Sequence, residues 1–291
     1  MPELPEVETV RIGLADRIIG RTISAESHDT EKGFPNTPID VANFLIGAKI
    51  IAVRRRAKVL MIDLSSQYSL LIHLKMTGQL VFVSADDRFG AGHPNDSLIE
   101  ALPDSSTRVT LTFEDGSLLF FNDQRKFGWM KLIPTAEIPD TPFMRKVGPE
   151  PLDPHFTAVA FKQRFARRPR TTIKAALLDQ SVVAGIGNIY ADEALWGAKV
   201  HPSRLVGSIT DDEFTALYTE ARAVMTLAIE KGGSSNRNYV NAEGKKGSYM
   251  DFARVFRREG QECPRCGAII EKTRVAGRGT HICPHCQVAP E

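Results

Sequence analysis

Cys263-Pro264-Arg265-Cys266 and Cys283-Pro284-His285-Cys286 lie sixteen residues apart near the end of a 291-residue chain and hold all four of its cysteines. Two C-x-x-C pairs at this spacing let four thiolates converge tetrahedrally on one zinc ion across a β-hairpin. With sulfur in every position the metal has no open site, so it is structural rather than catalytic. Disulfides are the alternative, and a cytoplasmic chain disfavours them. His281 and His285 stand nearby, but four cysteines complete the shell and both histidines are left outside it. Lys272, Arg274 and Arg278 fall on or near the hairpin, which makes it a basic finger pinned by metal.

Working back from the finger, apolar periodicity predicts helices over about 155–166, 171–179, 188–196 and 211–231. The last opens on a capping box, Thr210 with Glu213, and stops at Gly232-Gly233. Between the second and third lies Val182-Val183-Ala184-Gly185-Ile186-Gly187-Asn188. Its glycines leave backbone N–H groups exposed at a helix N-terminus, which reads as a phosphate site or as a plain interhelical turn. The polar loop 232–249 carries no clear element.

Ahead of the helices, Pro134, Pro139, Pro142, Pro149, Pro151 and Pro154 mark a linker. Still further back, β-branched and aliphatic runs predict strands over about 48–55, 58–64, 69–74, 79–83, 107–113, 117–121 and 129–133, with turns such as Asp115-Gly116 between them. One helix, about 39–46, interrupts the series, and the polar stretch 84–106 reads as a surface loop. Seven strands of this kind argue for a β-sandwich. The expected fold is thus α+β and multidomain. It divides into an N-terminal β-sandwich with flanking helices (1–135), a linker (136–153), a helical domain (154–250) and a four-cysteine zinc-finger hairpin (251–291).

The chain begins Met1-Pro2-Glu3-Leu4-Pro5-Glu6, and Val7, Val10, Leu14 and Ile18 then recur at helical spacing up to Gly20. One amphipathic helix therefore pins the N-terminus to the fold. If Met1 is removed, Pro2 becomes a terminal secondary amine with a pKa near ~8, against ~10.4 for lysine. Such an amine attacking a sugar aldehyde carbon gives an iminium that cannot lose an N–H proton, a persistent electron sink. Glu3 and Glu6 stand close enough to move protons for it. A solvated N-terminus is the plainer reading of these residues taken alone.

Composition sets limits. Hydrophobic residues make up 42% of the chain and charged residues 25%, as in a soluble globular protein. No apolar run is long enough for a membrane span, and the acidic N-terminus is unlike a signal peptide, so a cytoplasmic location is expected. A net charge of only +2 does not announce a nucleic-acid partner. Two basic clusters do raise that possibility. Arg54, Arg55, Arg56 and Lys58 form one, and Arg164, Arg167, Arg168, Arg170 and Lys174 form the other.

Taken together, Pro2-Glu3-Leu4-Pro5-Glu6-Val7-Glu8, the segment Gly187-Asn188-Ile189-Tyr190-Ala191 and the four-cysteine finger resemble the Fpg/Nei family of bifunctional DNA glycosylases and AP lyases, on its formamidopyrimidine branch. The resemblance covers essentially the full chain. It implies a β-sandwich joined to a helix–two-turn–helix domain with a zinc hairpin, and damaged duplex DNA running through the cleft between them.

The resemblance also implies roles. Pro2 is expected to be the nucleophile at C1′, Glu3 the proton donor and acceptor, and Glu6 an ordering residue. Lys58 matches a hairpin lysine that contacts phosphate and assists at the damaged base. Met76, in His73-Leu74-Lys75-Met76-Thr77-Gly78, and Arg125 and Phe127, in Gln124-Arg125-Lys126-Phe127-Gly128, match the three side chains that fill the gap left by an everted nucleotide. Asn188 and Arg278 match phosphate contacts, with Lys174 in support. Lys126 keeps the charge of a more usual arginine but loses its bidentate fork, and Ser106 replaces a histidine. The segment from Arg237 to Tyr249 corresponds to the family's loop over the everted base. Strand cleavage by β- and δ-elimination is the implied outcome, and a monomer is expected because one cleft and one duplex need no second copy. Two rivals remain: the endonuclease VIII branch, acting on oxidised pyrimidines, and a DNA-binding relative without catalysis.

Overall fold

The structure is a computed structural model that describes residues 1–234 and 248–290. It divides into two compact units, one of residues 1–145 joined by the segment that begins at Gly232, the other of residues 146–231 and the chain from Ser248 onward.

The first unit opens with α1 (Leu4–Ile18) and continues through β1 (Ile23–His28), the short α2 (Pro38–Asp40) with a π turn over Val41–Leu45, and β2 (Ile50–Arg56). Next come β3 (Val59–Leu64), β4 (Tyr68–His73), β5 (Gly78–Val83), β6 (Arg88–Gly92), β7 (Thr107–Phe113), β8 (Leu118–Asp123) and β9 (Trp129–Pro134). They form a five-stranded sheet, order β1-β7-β8-β5-β6, and a four-stranded sheet, order β2-β3-β4-β9. Every pairing is antiparallel.

One core lies between the sheets. Leu80, Phe82, Leu111, Leu119 and Phe121 of the first sheet meet Ile50, Leu60, Ile62, Leu70 and Ile72 of the second, and Val7, Val10, Leu14 and Ile18 of α1 close the cluster. This is the expected sandwich, held by hydrophobic burial across the two inner faces. The stretch 84–106 is not only loop, because it contains β6. That strand is rich in small residues, and its Phe89 ring occupies the space a side chain on Gly13 of α1 would take. The other unforeseen strand, β1, buries only Ile23, so as an edge strand it shows no alternation to detect.

The proline-rich segment starts as a 3₁₀ turn, Thr135–Asp140, and Ile138, Phe143 and Met144 pack on Val59, Met61 and Leu71, the outer face of the second sheet. The first part of the expected linker is therefore packed structure.

In the second unit, α3 (Ala158–Phe165), α4 (Ile173–Leu178), α5 (Asn188–Gly197) and α6 (Asp211–Glu230) agree with the four expected helices. Thr210 and Glu213 cap α6 reciprocally: Thr210 N–H donates to Glu213 Oε2 at 2.8 Å, and Glu213 N–H to Thr210 Oγ1 at 3.2 Å. The hairpin of β10 (Glu271–Val275) and β11 (Arg278–Ile282) turns at Ala276-Gly277, both at positive φ, as a two-residue hairpin requires.

Candidate active site and nucleic-acid interface

Pro2 and Glu3 are buried at the N-terminus of α1, behind a half-exposed Met1. Glu3 is the N-cap residue, and its N–H donates to Glu6 Oε2 at 2.7 Å. The other Glu6 oxygen accepts from the N–H and the hydroxyl of Ser234, each at 2.8 Å. A carboxylate in the first helical turn suits the positive end of the helix dipole, and here it also ties a distant segment to the N-terminus. Gly233 makes this possible: its φ is +83°, and a Cβ there would lie 3.2 Å from Glu6.

Two residues further along α1, Glu8 pairs with Arg11 at 2.7 Å and Arg55 at 2.8 Å. Arg55 Nη1 also donates to Ala57 O at 2.9 Å, inside the β2–β3 turn where Ala57 has φ +53°. The turn that carries Lys58 is thus braced against the helix that carries Pro2 and Glu3. His73, opposite Val59 in the sheet register, closes β4. Burial first, then the charges of Lys75 and Lys58, hold its imidazole down at about 3. It is neutral, and its Nδ1 accepts the Lys75 N–H at 3.0 Å.

Met76 sits half-buried in the β4–β5 turn, while Arg125, Lys126 and Phe127 are exposed in the β8–β9 turn. Phe127 is 45% exposed, and the Arg125 guanidinium lies over its ring at 5.0 Å. Lys126 is drawn toward Asp29 at 3.5 Å, a carboxylate also bound by Arg108. Those cations outweigh burial and hold Asp29 below the usual carboxylate range. Ser106, at the other departure from the family pattern, accepts the Asp123 N–H at 2.7 Å through its carbonyl.

In the second unit Asn188 is the first residue of α5, and its Nδ2 donates to Gly279 O at 3.0 Å, next to exposed Arg278. These two expected phosphate ligands are brought together. Lys174 differs from expectation. It is 0% exposed, and its ammonium meets Asp192 Oδ1 at 2.6 Å, Thr280 Oγ1 at 2.7 Å and Gly279 O at 3.2 Å. A side chain so enclosed does not reach a phosphate; it braces from beneath the hairpin that presents Arg278. Asp192 also accepts the His281 N–H at 2.9 Å, and the His281 ring lies between Asp192 and Glu259, away from the cysteines.

The four cysteine Sγ atoms lie within 4.8 Å of one another, with Cys263–Cys286 at 3.9 Å and Cys266–Cys283 at 3.4 Å. A tetrahedral zinc with Zn–S near ~2.3 Å needs sulfur pairs about 3.8 Å apart, whereas a disulfide would need ~2.05 Å. Burial pushes the Cys283 and Cys286 thiols up, whereas backbone N–H donors outweigh burial at Cys263 and hold it down at about 6. The donor set fits structural zinc.

Ser234, Glu8, Thr77, Asp123 and Asp192 are not among the expected site residues, and Arg55, expected only as part of a basic cluster, is paired with Glu8. Only Asp123, two residues ahead of Arg125 in a turn, carried a local signal, that of an Asx turn. Of the loop expected from Arg237 to Tyr249, residues 237–247 lie outside the described residues.

Three family models match the chain. The formamidopyrimidine-DNA glycosylase N-terminal domain covers residues 1–130, its H2TH domain 147–239, and the zinc finger found in FPG and IleRS 260–288. A formamidopyrimidine-DNA glycosylase of Listeria innocua is 41% identical over 288 residues, which span 99% of this chain and 100% of the relative. The Lactococcus lactis Fpg bound to DNA containing an abasic site is 34% identical with a TM-score of 0.85, over 99% of this chain and 100% of that one. The same protein complexed with DNA containing an oxidised pyrimidine matches at 34% identity and a TM-score of 0.84, over the same shares.

Proposed function

The chain belongs to the formamidopyrimidine-DNA glycosylase family, and on that premise we propose the reaction its residues carry out. It is a DNA glycosylase of base excision repair that acts on damaged duplex DNA with one structural zinc. Its substrates are oxidised purines, 8-oxoguanine and formamidopyrimidines.

With Met1 removed, the Pro2 nitrogen attacks C1′ of the everted nucleotide; the base leaves with the bonding pair and takes up the proton the Pro2 nitrogen sheds, and Glu3 supplies the proton the ring oxygen takes up as the sugar opens. The nitrogen lone pair then forms the iminium. Its positive charge acidifies the C2′ proton, which Glu3, now a carboxylate, accepts; loss of that proton expels the 3′-phosphate, a second elimination expels the 5′-phosphate, and water hydrolyses the iminium to free Pro2. One residue thus serves both glycosylase and lyase steps. Glu6 fixes the N-terminal turn, and Lys58, beside a neutral His73, meets phosphate near the lesion. Met76, Arg125 and Phe127 enter the vacated stack, the arginine offering donors to the orphaned base. Lys126, Asn188 and Arg278 hold phosphates, and Lys174 acts only through the hairpin it supports.

The sandwich, with residues 136–145 packed on it, carries the chemistry, residues 146–153 form the connection, and the helical domain and finger from 154 onward grip the backbone. The protein works as a monomer. No helix among the described residues is long and apolar enough to cross a membrane, and we place the protein in the cytoplasm, on the nucleoid.

The observation that carries this reading is Pro2-Glu3 buried at the start of a packed helix, in a chain similar to these glycosylases over its whole length. Borohydride trapping on a duplex with 8-oxoguanine opposite cytosine tests it. Wild type, shown by mass to lack Met1, should give a covalent adduct through residue 2, and Pro2→Gly and Glu3→Gln should give little or none. An adduct only with oxidised pyrimidines would move the protein to the endonuclease VIII branch. Binding with no adduct on any lesion would leave a non-catalytic DNA binder.

A further inference from the structure

Asp123 ends β8 as a fully buried carboxylate that the chemistry above does not use. Its Oδ2 accepts from the N–H groups of Phe127 at 2.8 Å and Gly128 at 2.6 Å. Its Oδ1 accepts from Arg125 N–H at 3.2 Å and from the Thr77 hydroxyl. Thr77 Oγ1 in turn accepts the Arg125 N–H at 3.0 Å. Thr77 belongs to the turn that carries Met76, and the other donors belong to the turn that carries Arg125 and Phe127.

We propose that Asp123 and Thr77 form a latch that holds these two turns as one rigid wedge, so that Met76, Arg125 and Phe127 enter a DNA stack as a unit. What the wedge does rests on the glycosylase reading; the latch itself does not. Both residues are positioning residues, since neither reaches the surface.

Three features support the latch. Each turn holds a non-glycine residue at positive φ, Lys75 at +50° and Lys126 at +55°, a conformation that persists only where surrounding bonds over-determine it. Each turn also ends on a glycine that permits close approach. A Cβ on Gly78 would lie 2.3 Å from Leu74 O, and one on Gly128 would lie 2.6 Å from the Phe121 ring and 3.1 Å from Asp123 Oδ2. Finally, the Asp123 backbone is itself fixed, its N–H on Ser106 O at 2.7 Å and its carbonyl accepting Arg108 Nε at 2.8 Å. Four donors converge on two oxygens, and only a carboxylate can accept all four; an amide in its place would turn an NH₂ toward a donor.

Two measurements on the full-length protein separate the latch from the reading above it. Amide hydrogen exchange without DNA reads the latch. Arg125, Phe127 and Gly128 should be protected in wild type and in Thr77→Ser, which keeps the hydroxyl. In Thr77→Val, which keeps the shape and loses both hydrogen bonds, Arg125 should exchange about tenfold faster, the factor that one net hydrogen bond supplies. Fast exchange in wild type, or equal protection in Thr77→Val, overturns the proposal.

Stopped-flow fluorescence of a base analogue opposite a tetrahydrofuran site then reads entry into the stack. Entry should slow about tenfold in Thr77→Val and remain near wild type in Thr77→Ser, with affinity for undamaged duplex unchanged. Wild-type entry in a Thr77→Val protein whose protection is lost overturns the wedge. If wild type gives neither an entry signal nor a borohydride adduct while exchange supports the latch, it is the glycosylase reading that has failed.

Discussion

Glu6 and Ser234, 228 positions apart, are joined by two hydrogen bonds, from the serine N–H and hydroxyl to one carboxylate oxygen at 2.8 Å each. The other oxygen holds the Glu3 N–H at 2.7 Å. Three donors thus surround one buried carboxylate beside the residues proposed to do the chemistry. Glu6→Gln must turn its NH₂ toward one of them, and we expect a loss of about 1–2 kcal/mol in urea denaturation together with weaker borohydride trapping. Ser234→Ala keeps the backbone bond and should cost less than about 1 kcal/mol. Unchanged denaturation of Glu6→Gln would mean that the carboxylate does not organise the N-terminus.

Lys174 and Arg278 should separate stability from binding. Lys174→Met leaves Asp192 buried without its cation, and breaking such a pair costs on the order of 3–5 kcal/mol. Arg278→Ala removes an exposed charge and should move stability by less than about 0.5 kcal/mol. It should nonetheless weaken DNA binding on all sequences and lower the salt slope by about one. If Arg278→Ala binds DNA with the wild-type salt dependence, it holds no phosphate.

His73 predicts an acid-side loss of stability. Its folded value is about 3, held there by burial and by Lys75 and Lys58, against 6.5 for the free group. Below 6.5 the unfolded chain binds a proton that the folded chain refuses, so unfolding free energy falls as pH falls through that window. Burial lowers His201 as well, and it adds a slope of the same sign. His73→Asn offers an oxygen for the Lys75 N–H and does not titrate. Melting temperatures between about pH 6.5 and 5, above most carboxylate titration, should fall less steeply in that variant. Parallel curves would show that His73 is not held neutral by the fold.

Metal analysis should find one zinc per chain. Cys283→Ser removes a fully buried sulfur and should lose most of the metal, the fold of the hairpin and, with Arg278 no longer presented, DNA affinity. A variant that binds DNA normally without zinc would make the finger dispensable.

The zinc set, the four helices and seven of the nine sandwich strands were legible because each writes its reason into neighbouring residues: C-x-x-C spacing, 3.6-residue periodicity, runs such as Val59–Leu64. Strands β1 and β6 were not. One buries a single side chain, and the other is shaped by contact with Gly13 on a helix far away in sequence.

The same division runs through the candidate site. Sequence by itself determined which groups are present: a proline behind the first methionine, two glutamates on one helical turn, four thiols at metal spacing, and arginines and a phenylalanine in turns. Only the tertiary structure decided how they are held. Ser234 reaches Glu6, Arg55 reaches Glu8, Thr77 reaches Asp123, and Lys174 turns inward to Asp192. A buried polar group must find its partner wherever the fold places one, and partners separated by tens or hundreds of residues leave no local pattern to read.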